Sequence, residues 1–101
     1  MKHNIELPTN QLAAFCQQYG IHELSLFGSV LRDDFTSESD VDVLVTFEPG
    51  VEETLTLMDL AGMQLKLSDM LQRKVDLVLR DGLKPLLKEE ILGNLEVVYA
   101  V

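Results

Sequence analysis

Hydrophobic and polar positions along this chain follow two periods, and the points where one gives way to the other divide it into elements. Over residues 10–19, Leu12, Phe15, Cys16 and Tyr19 recur at three- and four-residue steps, which predicts a helix. Thr9 or Asn10 is placed to cap its start, and Gly20 to end it. Residues 24–27 are a short apolar run closed by Gly28, the pattern of a buried strand. Residues 29–34 have room for one helical turn. The clearest strand is 40–48, where Val41, Val43, Val45 and Phe47 fall on one face and Asp40, Asp42, Leu44 and Thr46 on the other. After Pro49-Gly50, residues 54–71 carry Leu57, Leu60, Ala61, Leu65, Leu67 and Leu71 on one broad helical face. Residues 75–79 read as a third strand. Residues 83–92 read as a last helix, with Pro85 in its first turn and Gly93-Asn94 as its stop. Residues 96–99 read as a fourth strand.

Strands alternating with helices predict an α/β layer fold, with helices packed on a small sheet. The pattern leaves the strand directions open. No linker, repeat or low-complexity stretch divides the 101 residues, so one domain is expected over 1–101. Cys16 is the single cysteine, which excludes an intramolecular disulfide and makes a reducing compartment the default. The first residues lack the apolar stretch of a secretory leader, and no apolar run approaches the roughly 20 residues of a membrane span. A soluble, cytoplasmic chain is expected.

Charge changes the picture more than composition does. The net charge is −9, from 17 acids against 8 bases, and residues 1–60 carry all of it. Between Asp33 and Asp59 there are nine acids and no base. Such a surface disfavours direct binding of nucleic acid or an anionic membrane, which draws on clustered Lys and Arg. It is either a solvated acidic face or a place where cations gather.

Asp40-Val41-Asp42 bears on that choice. On a strand these carboxylates share a face, about 7 Å apart along the chain. Oxygen ligands so close repel unless a cation lies between them, and Mg²⁺ favours a few carboxylates together with waters and phosphates. Asp76 alternates with Val75 and Leu77 on another predicted strand. If that strand neighbours the first, three carboxylates converge, an arrangement suited to two-metal phosphoryl chemistry. Alone, an Asp-x-Asp is more often a solvated strand edge. Gly28-Ser29 shifts the balance, because a glycine after a short strand lets backbone N–H groups approach an anion and Ser29 adds a hydroxyl donor. Alone, Gly-Ser is a turn.

Gly28-Ser29, ten intervening residues and Asp40-x-Asp42 together resemble the signature of the polymerase-β-like nucleotidyltransferase superfamily. The stretch GSVLRDDFTSESDVDVLV resembles its small stand-alone members, the minimal nucleotidyltransferases. Phe27, Arg32, Ser39 and the valine-rich continuation agree with that pattern, and Asp76 falls where the family's third carboxylate is expected. The resemblance implies the family's palm, an α/β (α+β) fold with helices on a small mixed sheet. It implies that Asp40, Asp42 and Asp76 hold two Mg²⁺ ions, with Asp76 as general base, and that Gly28 and Ser29, with Arg32 and Ser39, bind the nucleotide. Many relatives have Gly after Arg32 where this chain has Asp33-Asp34, which leaves Arg32 open between a phosphate contact and an ion pair with Asp33 or Glu38.

Minimal nucleotidyltransferases resemble the antitoxin half of toxin–antitoxin pairs. The resemblance therefore implies transfer of AMP from ATP to a tyrosine of a HEPN-domain ribonuclease toxin. Two other readings stay open: an antitoxin that neutralises its partner by binding alone, and nucleotidyl transfer to a small molecule. His3, His22 and Cys16 are too scattered for a zinc site, and Met58, Met63 and Met70 read as core or partner surface. Arg73 and Lys74 read as a solvated helix end, and Glu52-Glu53 as loop or helix-start charge.

Overall fold

The computed structural model describes residues 7–31 and 39–101. Helix α1 (Thr9–Tyr19) leads into strand β1 (Ile21–Phe27), which turns at once into a 3₁₀ segment, Gly28–Leu31. Strand β2 (Val41–Phe47) follows, then a second 3₁₀ segment (Glu52–Thr54) and helix α2 (Leu57–Leu71). Strand β3 (Val75–Leu79), a third 3₁₀ segment (Arg80–Gly82), helix α3 (Pro85–Gly93) and strand β4 (Glu96–Ala100) complete the order.

The four strands form one mixed sheet in the order β3-β2-β1-β4. β1 runs antiparallel to both β2 and β4, whereas β2 and β3 are parallel. Parallel neighbours need a crossover, and α2 supplies it between β2 and β3. α1 and α2 pack on the valine-rich face. Leu12, Phe15 and Cys16 of α1 and Met63, Leu67 and Leu71 of α2 close over Leu24, Leu26, Val43, Val45 and Val75. Leu67 is fully buried there, so truncating it to alanine costs about 2–5 kcal/mol. α3 buries none of its residues. No helix among the described residues is long and apolar enough to cross a membrane.

Several element ends differ from the sequence pattern for identifiable reasons. β1 starts at Ile21 rather than residue 24, because a register shift between Ile21 and Glu23 interrupts the alternation. Neither Thr9 nor Asn10 caps α1: Pro8 holds the cap position, and its carbonyl accepts the Leu12 N–H at 2.9 Å. Gly20 does end that helix, in the left-handed region. α2 starts at Leu57, three residues later than the apolar face suggests, because Thr56 and Asp59 form a reciprocal capping box. The Asp59 N–H donates to Thr56 Oγ1 at 3.1 Å, and the Thr56 N–H donates to Asp59 Oδ2 at 2.9 Å. α3 starts at Pro85, and Asn94 rather than Gly93 is its C-cap.

The outer edge of β3 is closed by its own crossover helix. The Val75 N–H donates to Ser68 Oγ and the Leu77 N–H to Gln64 Oε1, both at 3.0 Å. Residues four apart on a helix thus meet residues two apart on a strand. These two amides flank Asp76 and fix the backbone that carries it.

Candidate active site

Three residues line up across the sheet on the face away from α1 and α2. Phe27 on β1 pairs with Asp42 on β2, and Asp42 pairs with Asp76 on β3. Direct partners on adjacent strands share a face, with about 4.8 Å between strands. The row Phe27–Asp42–Asp76 therefore sets two carboxylates side by side. β2 begins where the Val41 N–H donates to the Lys74 carbonyl at 2.9 Å, a contact that holds the starts of the parallel strands together. The core side of the same positions is apolar, since Val41 and Val75 are buried beneath their acidic neighbours.

Gly28 follows Phe27 directly and has φ of 76°. A side chain is excluded there twice. The backbone lies in the left-handed region that favours glycine, and a Cβ would collide with the Asp42 carboxylate oxygen Oδ2. The space opened by the missing side chain is therefore filled, in this structure, by the protein's own carboxylate. Ser29 is the second residue of the 3₁₀ turn. Ser39 is half-buried, Asp40 immediately precedes β2 and is exposed, Asp42 is half-buried and Asp76 is exposed. Arg32, with Asp33, Asp34 and Glu38, lies outside the described residues, as does His3.

The topology thus brings Gly28, Asp42 and Asp76 to one end of the sheet, with Asp40 two residues ahead of Asp42. Among the described residues no three His, Cys, Asp or Glu side chains are grouped closely enough to hold an ion by themselves. The donor set nonetheless fits Mg²⁺, which is commonly held by one or two carboxylates and completes its shell with water and phosphate oxygens.

Next to the row lies a cleft of about 600 Å³, with Phe27, Gly28 and Leu31 on one wall and Leu87, Glu90, Ile91 and Asn94 of α3 and its cap on the other. No motif or spacing in the chain points to it. The apolar residues of α3 read as a packing face, yet Leu86 is 91% exposed and Leu87 50%.

The other conspicuous residues stand apart. His22 Nδ1 lies 3.4 Å from Glu48 Oε2 near the opposite end of β1. Met63 is core and Met58 is exposed. Burial pushes the Cys16 thiol up to about 12, which keeps it protonated and chemically quiet.

A family model described as "Nucleotidyltransferase domain" matches residues 9–98. The chain belongs to this nucleotidyltransferase family. The matched span includes the Gly28 turn, Asp42 and Asp76. The protein adenylyltransferase MntA of Thermococcus cleftensis is 35% identical over 83 residues, which cover 82% of this chain and 78% of MntA. A crystal structure of a toxin–antitoxin with AMP-PNP is similar with a TM-score of 0.74 at 21% identity, covering 94% of this chain and 75% of that one. A complex of tri-AMPylated Shewanella oneidensis HEPN toxin with MNT antitoxin is similar with a TM-score of 0.65 at 20% identity, covering 92% and 70%. At those identities the two structures share the nucleotidyltransferase fold with this chain.

Proposed function

We propose that this nucleotidyltransferase transfers AMP from ATP to a hydroxyl, that of a tyrosine on a HEPN-type toxin, and serves as the antitoxin of that pair. The observation that carries the reading is the register of Asp42 against Asp76, beside a glycine whose side-chain position the Asp42 carboxylate occupies. The adenylyltransferase name of the Thermococcus relative and the toxin–antitoxin complexes among the similar folds support AMP as the group and a HEPN toxin as the acceptor.

In this reading the backbone of Gly28 and Ser29 lies along the triphosphate, with Arg32 and Ser39 as flanking contacts. Asp40, Asp42 and Asp76 would hold two Mg²⁺ ions. Bound there, the ions neutralise charge on the α-phosphate and on the departing pyrophosphate. Asp76, exposed on the edge strand, accepts the proton of the attacking hydroxyl. The acceptor oxygen forms a bond to the α-phosphorus while the bond from that phosphorus to the bridging oxygen breaks, and pyrophosphate leaves. The hydrogen bonds from Val75 and Leu77 to α2 restrain the Asp76 backbone, so that geometry is set before substrate arrives.

The test is label transfer. The purified chain, Mg²⁺, α-labelled ATP and the product of the adjacent gene should yield a labelled partner, and Asp42→Asn should reduce transfer at least a hundredfold. Full transfer by Asp42→Asn would remove the assigned mechanism. The reading of neutralisation by binding alone has one observation in its favour, the exposed apolar side chains Leu57, Met58 and Leu65 along α2. Rescue of toxin-expressing cells by Asp40→Asn/Asp42→Asn would decide for it.

A further inference from the structure

The row across the sheet does not end at β2. Its third member, Phe27, is also a wall of the cleft, and Gly28 belongs to both the turn and the cleft. A nucleotide whose phosphates lie along the Gly28 turn therefore has, among the described residues, an open cleft for its base within reach, and that cleft begins one strand away from Asp42. The cleft volume falls within the roughly 300–1,000 Å³ of small-molecule pockets. Its lining suits a flat heterocycle: Phe27, Leu31, Leu87 and Ile91 are apolar, and among the described residues only Glu90 and Asn94 bring polar side chains.

Those two side chains differ in kind. One N–H of the Asn94 side-chain amide donates to the Glu90 backbone carbonyl at 2.9 Å, which leaves its second N–H and its oxygen available. A carboxylate at Glu90 only accepts. Glu90 therefore gives the cleft a charged acceptor. A base with an exocyclic amino group supplies the complementary donor, whereas a base with a carbonyl in that place sets oxygen against oxygen.

We propose that the cleft between the Gly28 turn and α3 seats the nucleotide base, and that the Glu90 carboxylate selects for an exocyclic amino group. The proposal rests on the reading of Gly28, Asp42 and Asp76 as the triphosphate and metal site. It adds a base subsite and a physical origin for preferring ATP.

Calorimetric titration of the full chain with ATP, ITP and inorganic tripolyphosphate, each with Mg²⁺, tests it. ITP differs from ATP by carrying a carbonyl where adenine carries its amino group. ATP is expected to bind about tenfold more tightly than ITP, the worth of one hydrogen bond to a charged acceptor, and more tightly than tripolyphosphate. Glu90→Gln should bring ATP and ITP within about threefold of each other. Leu87→Ser, at a half-exposed position where a fold change is not expected and melting verifies this, should weaken ATP and ITP alike and leave tripolyphosphate unchanged. Equal binding of ATP, ITP and tripolyphosphate, or variants that leave their ratios untouched, would overturn the base subsite while the transfer reading stands. Failure of all three to bind would remove both.

Discussion

At the level of single residues, Gly28 couples two functions that the sequence presents as separate. Glycine beside a candidate phosphate site reads as backbone access for an anion, and the structure adds that the vacant side-chain position is taken by Asp42. Gly28→Ala therefore does more than strain a left-handed residue. It pushes the carboxylate out of the row, so a stability loss of about 1–2 kcal/mol in thermal melting should come with a loss of ATP binding at least tenfold. Retained ATP affinity in a folded Gly28→Ala protein would separate the glycine from the site. Cys16 gives a prediction with a definite sign. Its thiol is raised to about 12 in the folded chain, against about 8.5–9 when unfolded. The unfolded chain therefore loses the proton first, and the stability from this group is complete below pH 9 and declines as pH rises toward 12. Cys16→Val should have a flatter stability profile over that window in denaturant titrations, and native Cys16 should resist iodoacetamide until the chain unfolds.

At the level of elements, much of the architecture is legible before any coordinates. β3 was readable to the residue and β2 to within one, because valine alternation on a half-buried strand is a strong local signal. β1 was foreshortened because its bulge breaks that signal. The start of α2 was misplaced because hydrophobic periodicity outweighed Thr56-x-x-Asp59, although that capping signature stands in the sequence. Strand direction and register could not be read, and the candidate site depends on them: Asp76 becomes a neighbour of Asp42 only through parallel pairing over a helical crossover. The base cleft was invisible for a further reason, since the apolar residues of α3 carry the same pattern whether they face a core or a ligand. The end of α2 provides an element-scale test. Gln72 caps it at φ of 55°, a conformation costing a non-glycine residue about 1 kcal/mol. Gln72→Gly should raise stability by up to about that amount, and Thr56→Ala at the other end should lower it by about 1 kcal/mol, both measurable by urea unfolding.

At the level of the whole molecule, the −9 is unevenly placed, and the proposed metal site would account for part of the imbalance. Asp40 and Asp42 belong to the base-free run from Asp33 to Asp59, while Asp76 comes from the half in which six acids and six bases cancel. The fold thus brings one acid from the balanced half beside Asp42 of the acidic half. Mg²⁺ bound at the proposed site should stabilise the chain by offsetting that charge, and ATP with Mg²⁺ should stabilise it further. At about 100 times the dissociation constant the gain is about 2.7 kcal/mol, or on the order of 10 °C for a domain of this size. A melting curve indifferent to both would argue against the site. Asp81, Glu52 and Glu53 lie away from the row, near the far end of β2.

One border of the sheet is guarded by the chain itself. At β3, the amides of Val75 and Leu77 already donate to side chains of α2, so a foreign strand would have to displace both before it could register. Recruitment of stray strands, the usual opening step toward fibrils, is therefore hindered at this border. Deuterium exchange makes the protection measurable: Val75 and Leu77 should exchange as slowly as amides inside the ladder, and Gln64→Ala should release Leu77 first. A border that faces its own helix can tolerate functional traffic over Asp76 without inviting polymerisation beside it.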